Sequence, residues 1–300
     1  MDLDGKALAE TLRGRHAPEV DRLLAEGRRP RLVAIQVGRN EAAESYARGQ
    51  RKGADAWRIA YEVRGLPDDS TEAEVREAIR RANDDPEVTG VMLQLPLPAG
   101  LPGRVLQRAI APEKDVEGVH PENLGEVVHG RDGLAPCTAL AAIALLESAG
   151  VRFEGAEAVV VGHSEIVGKP VALMLLARNA TTVVCHKFTK DLAHYTRRAG
   201  LLVVAVGKPG LIRPDMVSPG CVVVDVGINA VPVAGEPGRT RIVGDVDREG
   251  LVAKGCRVSP VPGGVGPVTV AMLLRNTLIA ARHTPPPRED PTSPLFLDLE

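Results

Sequence analysis

Three hundred residues with 44% apolar content suit one large or two ordinary α/β domains with a sizeable core, and two is the expectation. A net charge of −2, with both signs mixed along the chain, excludes a general nucleic-acid binder, because counterion release needs a concentrated basic surface. No apolar run approaches membrane-spanning length, and the first residues lack a basic segment followed by an apolar one, so a soluble, cytoplasmic protein is expected. The four cysteines are far apart without a C-x-x-C pair, and the histidines lack the i, i+4 spacing of a helical metal site. Neither a disulfide framework nor a bound metal is predicted.

In chain order, a helical pattern over 5–27 carries Leu8, Leu12, Val20, Leu23 and Leu24 on one side, with Pro18 expected to kink or restart it. Strand 31–37, helix 40–57 and strand 59–63 then make a β-α-β unit. Thr71 with Glu74 forms a capping-box signal before a helix carrying Val75, Ala78, Ile79 and Ala82. The strand 90–95 runs into Pro96 and Pro98, which stop regular pairing. Gln94 therefore falls at the carboxyl end of its strand, where open α/β sheets place ligands. Helix 101–110, the polar segment 113–118, a loop at 136–138 and a helix over 139–148 follow, with the domain junction at that loop.

Beyond it, strands at 182–186, 201–206 and 221–226 and a helix at 191–199 continue the alternation, which implies a parallel, doubly wound sheet. Gly263, Gly264 and Gly266 precede a last helix over 268–282, where they make a tight turn or line a ligand pocket. The proline-rich, polar end 284–300 reads as a flexible tail.

The most informative stretch is 158–170. Four apolar residues lead into Gly162, His163, Ser164, Ile166, Val167 and Gly168 and then a helix, as a buried strand leads into a nucleotide-binding turn. The glycines let backbone approach a ligand, and the helix start is expected to offer free N–H groups to a pyrophosphate. The spacing G-x-S-x-x-x-G is not the usual G-x-G-x-x-G, so alone the turn reads equally as an ordinary strand-to-helix connection. Roughly 20 residues past the first glycine, where NAD-binding turns place a carboxylate, the chain has His186 and Lys187, with Lys190 close behind. An ammonium suits a 2′-phosphate, which leans the reading toward NADP; the plain alternative is a solvated lysine.

Several separated motifs together resemble the methylenetetrahydrofolate dehydrogenase/methenyltetrahydrofolate cyclohydrolase family, the bifunctional FolD proteins. They are Val37-Gly38 with Tyr46 in the next helix, VMLQLPLP at 91–98, Lys114 to Gly118 with His120-Pro121, and Pro136-Cys137-Thr138. The turn at 162–170, VGKPG at 206–210, DVGIN at 225–229, GDV at 244–246 and PVPGGVGPVT at 260–269 complete the set.

The resemblance implies a two-domain α/β protein: an N-terminal α/β folate domain, 1–138 plus 267–283, and a Rossmann-like, doubly wound parallel-sheet NADP domain, 139–266. It also implies a homodimer. By the same resemblance the folate side is built from Tyr46, Gln94, Leu95, Pro96, Glu117, Pro262, Gly263 and Gly264. Ser164 and Ile228 join the cofactor contacts.

Position by position, the resemblance also marks departures. The family carries a lysine four residues after the tyrosine, central to cyclohydrolase chemistry, and this chain has Gln50 there. Lys52 is no substitute, being rotated about 200° around the helix. Ala43 replaces a serine, Glu117 replaces an aspartate that holds the pterin, and Ala139 and Ala141 replace a proline and a glycine.

Hydride transfer from a one-carbon bridge needs alignment and tolerance of developing charge. Hydrolysis of the methenyl cation needs proton transfers, worth roughly 10² to 10⁴ in rate when a tuned side chain performs them, and an amide does not titrate near neutral pH. Tyr46, Gln50, Gln94 and Glu117 are thus the catalytic candidates of an NADP-dependent dehydrogenase of a tetrahydrofolate derivative with weak or lost cyclohydrolase activity. Other readings are a bifunctional enzyme, a dehydrogenase for another pterin carrier and a non-catalytic binding paralogue.

Overall fold

The short apolar runs are strands, and they build two separate parallel sheets. The computed structural model describes residues 3–38, 41–233, 235–236 and 238–283, with backbone alone for 41–46 and 283; the tail expected at 284–300 lies outside. One compact unit takes in His16–Lys114 and the chain from Thr277, the other the chain up to Arg15 and Asp115–Asn276.

In the first unit a three-stranded sheet of order β2-β1-β3 pairs β1 (Arg31–Val37) in parallel with β2 (Ala60–Leu66) and β3 (Gly90–Leu93). Val33, Ile35, Val37, Val91 and Leu93 face a core shared with Val75, Ile79 and Ala82 of α3 (Glu72–Asp84) and Leu106 of α4 (Gly103–Gln107). The opposite face, with Leu32, Ala34 and Met92 all buried, follows from the period of two along a strand. α2 (Glu41–Ala56) lies against β2. Thr71 and Glu74 cap α3 reciprocally as the sequence predicts. At the other end of α3, Lys114 Nζ donates to the carbonyls of Asn83 and Asp85, each at 2.7 Å.

The second unit holds a five-stranded parallel sheet of order β10-β7-β6-β4-β5: β4 (Glu157–Val161), β5 (Thr181–Cys185), β6 (Leu201–Val204), β7 (Val222–Asp225) and β10 (Arg257–Val258). Val159, Val161, Leu202, Val204 and Val223 pack toward α8 (Leu192–Thr196) and α9 (Arg248–Ala253). By alternation the fully buried Val160, Val203 and Val224 face the other layer. There α6 (Cys137–Ser148) meets β7, and α7 (Gly168–Ala177) meets β4 and α6.

Some elements differ from expectation. α1 (Gly5–Ala25) continues through Pro18 instead of restarting there. The helix expected over 101–110 shrinks to α4, because Ala109 and Ile110 close tighter turns onto Leu106 and Gln107. Cys137 and Thr138, expected in a loop, open α6 behind Pro136. Helix α10 (Val265–His283) begins three residues early, tolerating Pro267 in its first turn. Sequence patterning did not reveal α5 (Pro121–Val128) or the antiparallel hairpin of β8 (Asn229–Pro232) and β9 (Thr240–Val243).

Candidate active site

Strand parity brings the first cluster together. Gln94 follows Leu93 and shares the parity of Met92; Tyr61 pairs with Leu32. Both side chains therefore leave the sheet on the face opposite the α3 core, where Gln50 of α2 meets them. The Tyr61 hydroxyl donates to Gln50 Oε1 at 2.7 Å, and Gln94 Nε2 donates to the same oxygen at 2.8 Å. Gln50 and Gln94 are 0% and 3% exposed, respectively. Gln50 Oε1 takes two donors while Gln50 Nε2 is buried without a hydrogen-bond partner among the described residues. A buried donor left so costs roughly 1–3 kcal/mol, a cost that functional sites carry when a ligand supplies the acceptor.

The Arg51 guanidinium lies 5.4 Å from the centre of the Tyr61 ring, whereas Lys52 is exposed, away from Gln50. Tyr46 is four residues before Gln50 on α2, and its side chain is outside the described set. Leu95 and Pro96, joined by a cis peptide bond, are exposed just past Gln94. Tyr61 escaped the sequence reading because its parity relative to Gln50 depends on the β1–β2 register, which no local pattern encodes.

In the second unit the segment 115–123 is organised by buried Asp115, which accepts from the backbone N–H groups of Gly118 (3.1 Å) and His120 (2.7 Å) and from Asn123 Nδ2 (2.9 Å). Burial pushes its carboxyl up, against those three donors. Glu117 is half-buried, and its carbonyl accepts from Cys137 N at 3.2 Å. The Cys137 thiol is pushed well up, first by burial and then by the Glu117 and Asp115 charges. Pro262, preceded by a cis bond, is exposed. Gly5 N donates to the Gly263 carbonyl at 3.0 Å; a Cβ on Gly264 would stand 2.6 Å from the Pro260 carbonyl oxygen.

The five-stranded sheet follows the doubly wound order 2-1-3-4-5, so its strand order reverses between β4 and β6. The turn 162–168 leaves β4 at that switch point, and the loop after β6 leaves beside it. Gly162 has φ +120°, and a Cβ there would stand 2.2 Å from the Ala205 carbonyl oxygen; one on Gly168 would stand 2.0 Å from that of Gly162. The chain's own backbone thus already demands glycine at both positions.

The expectation of free N–H groups at the start of α7 is corrected. Ser164 Oγ accepts from Val167 N and Gly168 N at 3.2 and 3.3 Å, the Ser164 carbonyl accepts from Lys169 N at 3.0 Å, and Pro170 has no N–H. What the turn presents instead is side chains: His163, Ser164 and Ile166 are exposed, with Val167 half-buried. The His163 ring stands edge-on to His186 at 5.0 Å, and the exposed Lys187 ammonium lies 4.9 Å from the Phe188 ring centre.

Two buried carboxylates hold the neighbouring loops. Asp245 accepts from Val206 N (2.8 Å), Gly207 N (2.9 Å), Lys208 N (2.8 Å) and Asn229 Nδ2 (2.9 Å). Asp225 accepts from Gly227 N (2.9 Å), Asp245 N (3.0 Å) and Val246 N (3.0 Å), and burial pushes its carboxyl up. A Cβ on Gly227 would stand 2.3 Å from the Asp245 carboxyl, and one on Gly244 1.9 Å from that of Asp225. The motifs at 206–210, 225–229 and 244–246 are therefore one interlocked unit. It presents Val206 and Ile228, 37% and 70% exposed, on adjoining loops at the carboxyl end of the sheet. Exposed apolar side chains, a histidine pair and an exposed ammonium fit a flat, phosphorylated nucleotide.

A parallel sheet of this order with a tight glycine turn at its switch point defines a nucleotide-binding α/β protein of the Rossmann-like class. The chain belongs to the tetrahydrofolate dehydrogenase/cyclohydrolase family: the family's catalytic domain matches residues 3–117 and its NAD(P)-binding domain residues 136–284. Bifunctional protein FolD 2 of Mesorhizobium japonicum is 49% identical over 256 residues, 85% of this chain and 83% of that protein. Bifunctional protein FolD of Moorella thermoacetica is 47% identical over 281 residues, 94% and 98% of the two chains.

Among solved structures, FolD methylenetetrahydrofolate dehydrogenase/cyclohydrolase from Campylobacter jejuni is similar with a TM-score of 0.88 at 41% identity, covering 94% of this chain and 98% of that one. Trypanosoma brucei FolD, solved with NADP cofactor and inhibitor, gives 0.88 at 35% identity, covering 94% and 97%. Among the described residues no cluster of candidate metal ligands occurs, and no helix is long and apolar enough to cross a membrane.

Proposed function

We propose that this protein is an NADP-dependent methylenetetrahydrofolate dehydrogenase whose cyclohydrolase activity is weak or lost. The observation that carries the reading is the buried cluster at Gln50. Its described polar partners are a phenol and an amide, so no group in it takes up and returns a proton near neutral pH. When bound, NADP supplies the hydride acceptor. Gly162, His163, Ser164, Ile166, Val167, Gly168 and Ile228 would hold it, and Lys187, with His186 beside it, would meet the 2′-phosphate. Tyr46, Gln94, Leu95, Pro96, Glu117, Pro262, Gly263 and Gly264 would bind and orient the folate.

Folate binding is assigned to 1–138 with 267–283 and NADP binding to 139–266, in a cytoplasmic homodimer. Oxidation asks these residues for alignment and tolerance of the developing positive charge, not for proton transfer. Hydrolysis asks for proton removal from the attacking water and proton delivery to a ring nitrogen, which Gln50 does not perform.

Paired assays on the purified protein test this: NADPH formation with 5,10-methylenetetrahydrofolate, and decay of the methenyl absorbance. Gln50→Lys is expected to raise hydrolysis about tenfold or more, a part of the roughly 10² to 10⁴ that general acid–base help supplies, while oxidation changes less. A wild-type hydrolysis rate matching its oxidation rate, or equal changes in both reactions on substitution, overturns the proposal.

A further inference from the structure

We infer that Tyr61 is a positioning residue of the folate side: it fixes the Gln50 amide so that its NH₂ is presented as a buried donor to an acceptor atom of the substrate. The inference rests on the reading of Gln50 given above. An amide oxygen has two lone pairs, and on Gln50 both are engaged, by the Tyr61 hydroxyl at 2.7 Å and Gln94 Nε2 at 2.8 Å. Turning the amide over would set its NH₂ against that of Gln94, whose Nε2 also reaches the Tyr61 oxygen at 3.3 Å and so competes for the one acceptor left. The orientation is therefore fixed from the strand side, and the unsatisfied Nε2 is the end left to act.

Tyr61 is itself well placed for this. It sits on β2, whose pairing with β1 sets its register, and the Arg51 guanidinium 5.4 Å from its ring centre covers its face. A fixed amide donor recognises a neutral acceptor, such as a carbonyl oxygen or a ring nitrogen. It neither gains nor loses a proton in doing so. Gln50 would then serve substrate orientation, and Tyr61 would act only through it.

A double-mutant cycle decides the point, with tetrahydrofolate as the probe. Its Kd is measured by calorimetry under anaerobic conditions for wild type, Tyr61→Phe, Gln50→Leu and the double variant, with NADP affinity as control and thermal melting to verify folding. Tyr61→Phe is expected to weaken tetrahydrofolate binding about three- to tenfold, the span of one hydrogen bond, and to leave NADP binding within about twofold. In the Gln50→Leu background the same substitution is expected to change binding less than about twofold, because its partner is gone.

Equal losses in both backgrounds, or no loss in the first, overturn the inference, as does a wild type that does not bind tetrahydrofolate. A wild type that binds the probe but forms no NADPH from the methylene derivative defeats the proposed activity alone. If Gln50→Leu does not fold, Gln50→Met, which also lacks the amide, takes its place in the cycle.

Discussion

Replacing Asp245 by asparagine should destabilise the nucleotide-side unit measurably. The carboxylate accepts four hydrogen bonds, three of them from consecutive backbone N–H groups of the loop after β6. An asparagine has one acceptor oxygen, which can keep about two of the four; its NH₂ then faces the remaining donors. Two lost bonds to a charged acceptor cost about 1.5–3 kcal/mol each. Two effects reduce the sum. Residues 206–208 are exposed, so water can take the freed N–H groups, and the substitution removes a charge that lies against Asp225. The net expectation is about 2–3 kcal/mol, or roughly 5–12 °C in Tm for a unit of this size. Differential scanning calorimetry reads it directly. A shift under about 2 °C would mean that the loop is held by its own turns and that the carboxylate pair is not the fastener described above.

The other expectations concern cofactor choice and pH. Lys187→Ala should raise the KM for NADP about tenfold, the loss of one charged hydrogen bond, with little change for NAD; an unchanged NADP to NAD preference would make Lys187 a solvated surface residue. Glu19 pairs with Arg282 at 2.6 Å, and that bond, with His16 beyond it, holds its carboxyl below the usual 4.5. Because the folded value is depressed, the stabilisation is present above 4.5 and is lost as pH falls through the folded value. The stability gap between wild type and Glu19→Gln, read as a Tm difference, should therefore be widest near pH 7, at no more than about 1 kcal/mol for a partly exposed pair, and should close below pH 4.5. A gap that widens on acidification would contradict the assignment.

How far the sequence discloses such a site depends on the range over which each residue acts. The capping of α3 by Thr71 and Glu74 spans three positions and is readable directly. The two parallel sheets are nearly as legible, because a strand buried on both faces must be apolar throughout, as 158–161 and 201–204 are. β8 and β9 were hidden for the converse reason: the pair is half-exposed and mixed in composition.

The glycines at 162 and 168 are a harder case. Their presence announces a tight approach but not its partner, and the chain's own carbonyl groups already supply one at both positions. Ser164 shows the same ambiguity: a short polar side chain before a helix suits both a cap and a phosphate contact, and here it spends its oxygens on three N–H groups of the helix start. Gln50 and Gln94 could be named individually from their motifs and they bond each other directly, yet the third member, Tyr61, has a place that depends on strand register. Register is a long-range property, set by which faces are buried together, and a site assembled through it becomes visible only when the sheet is.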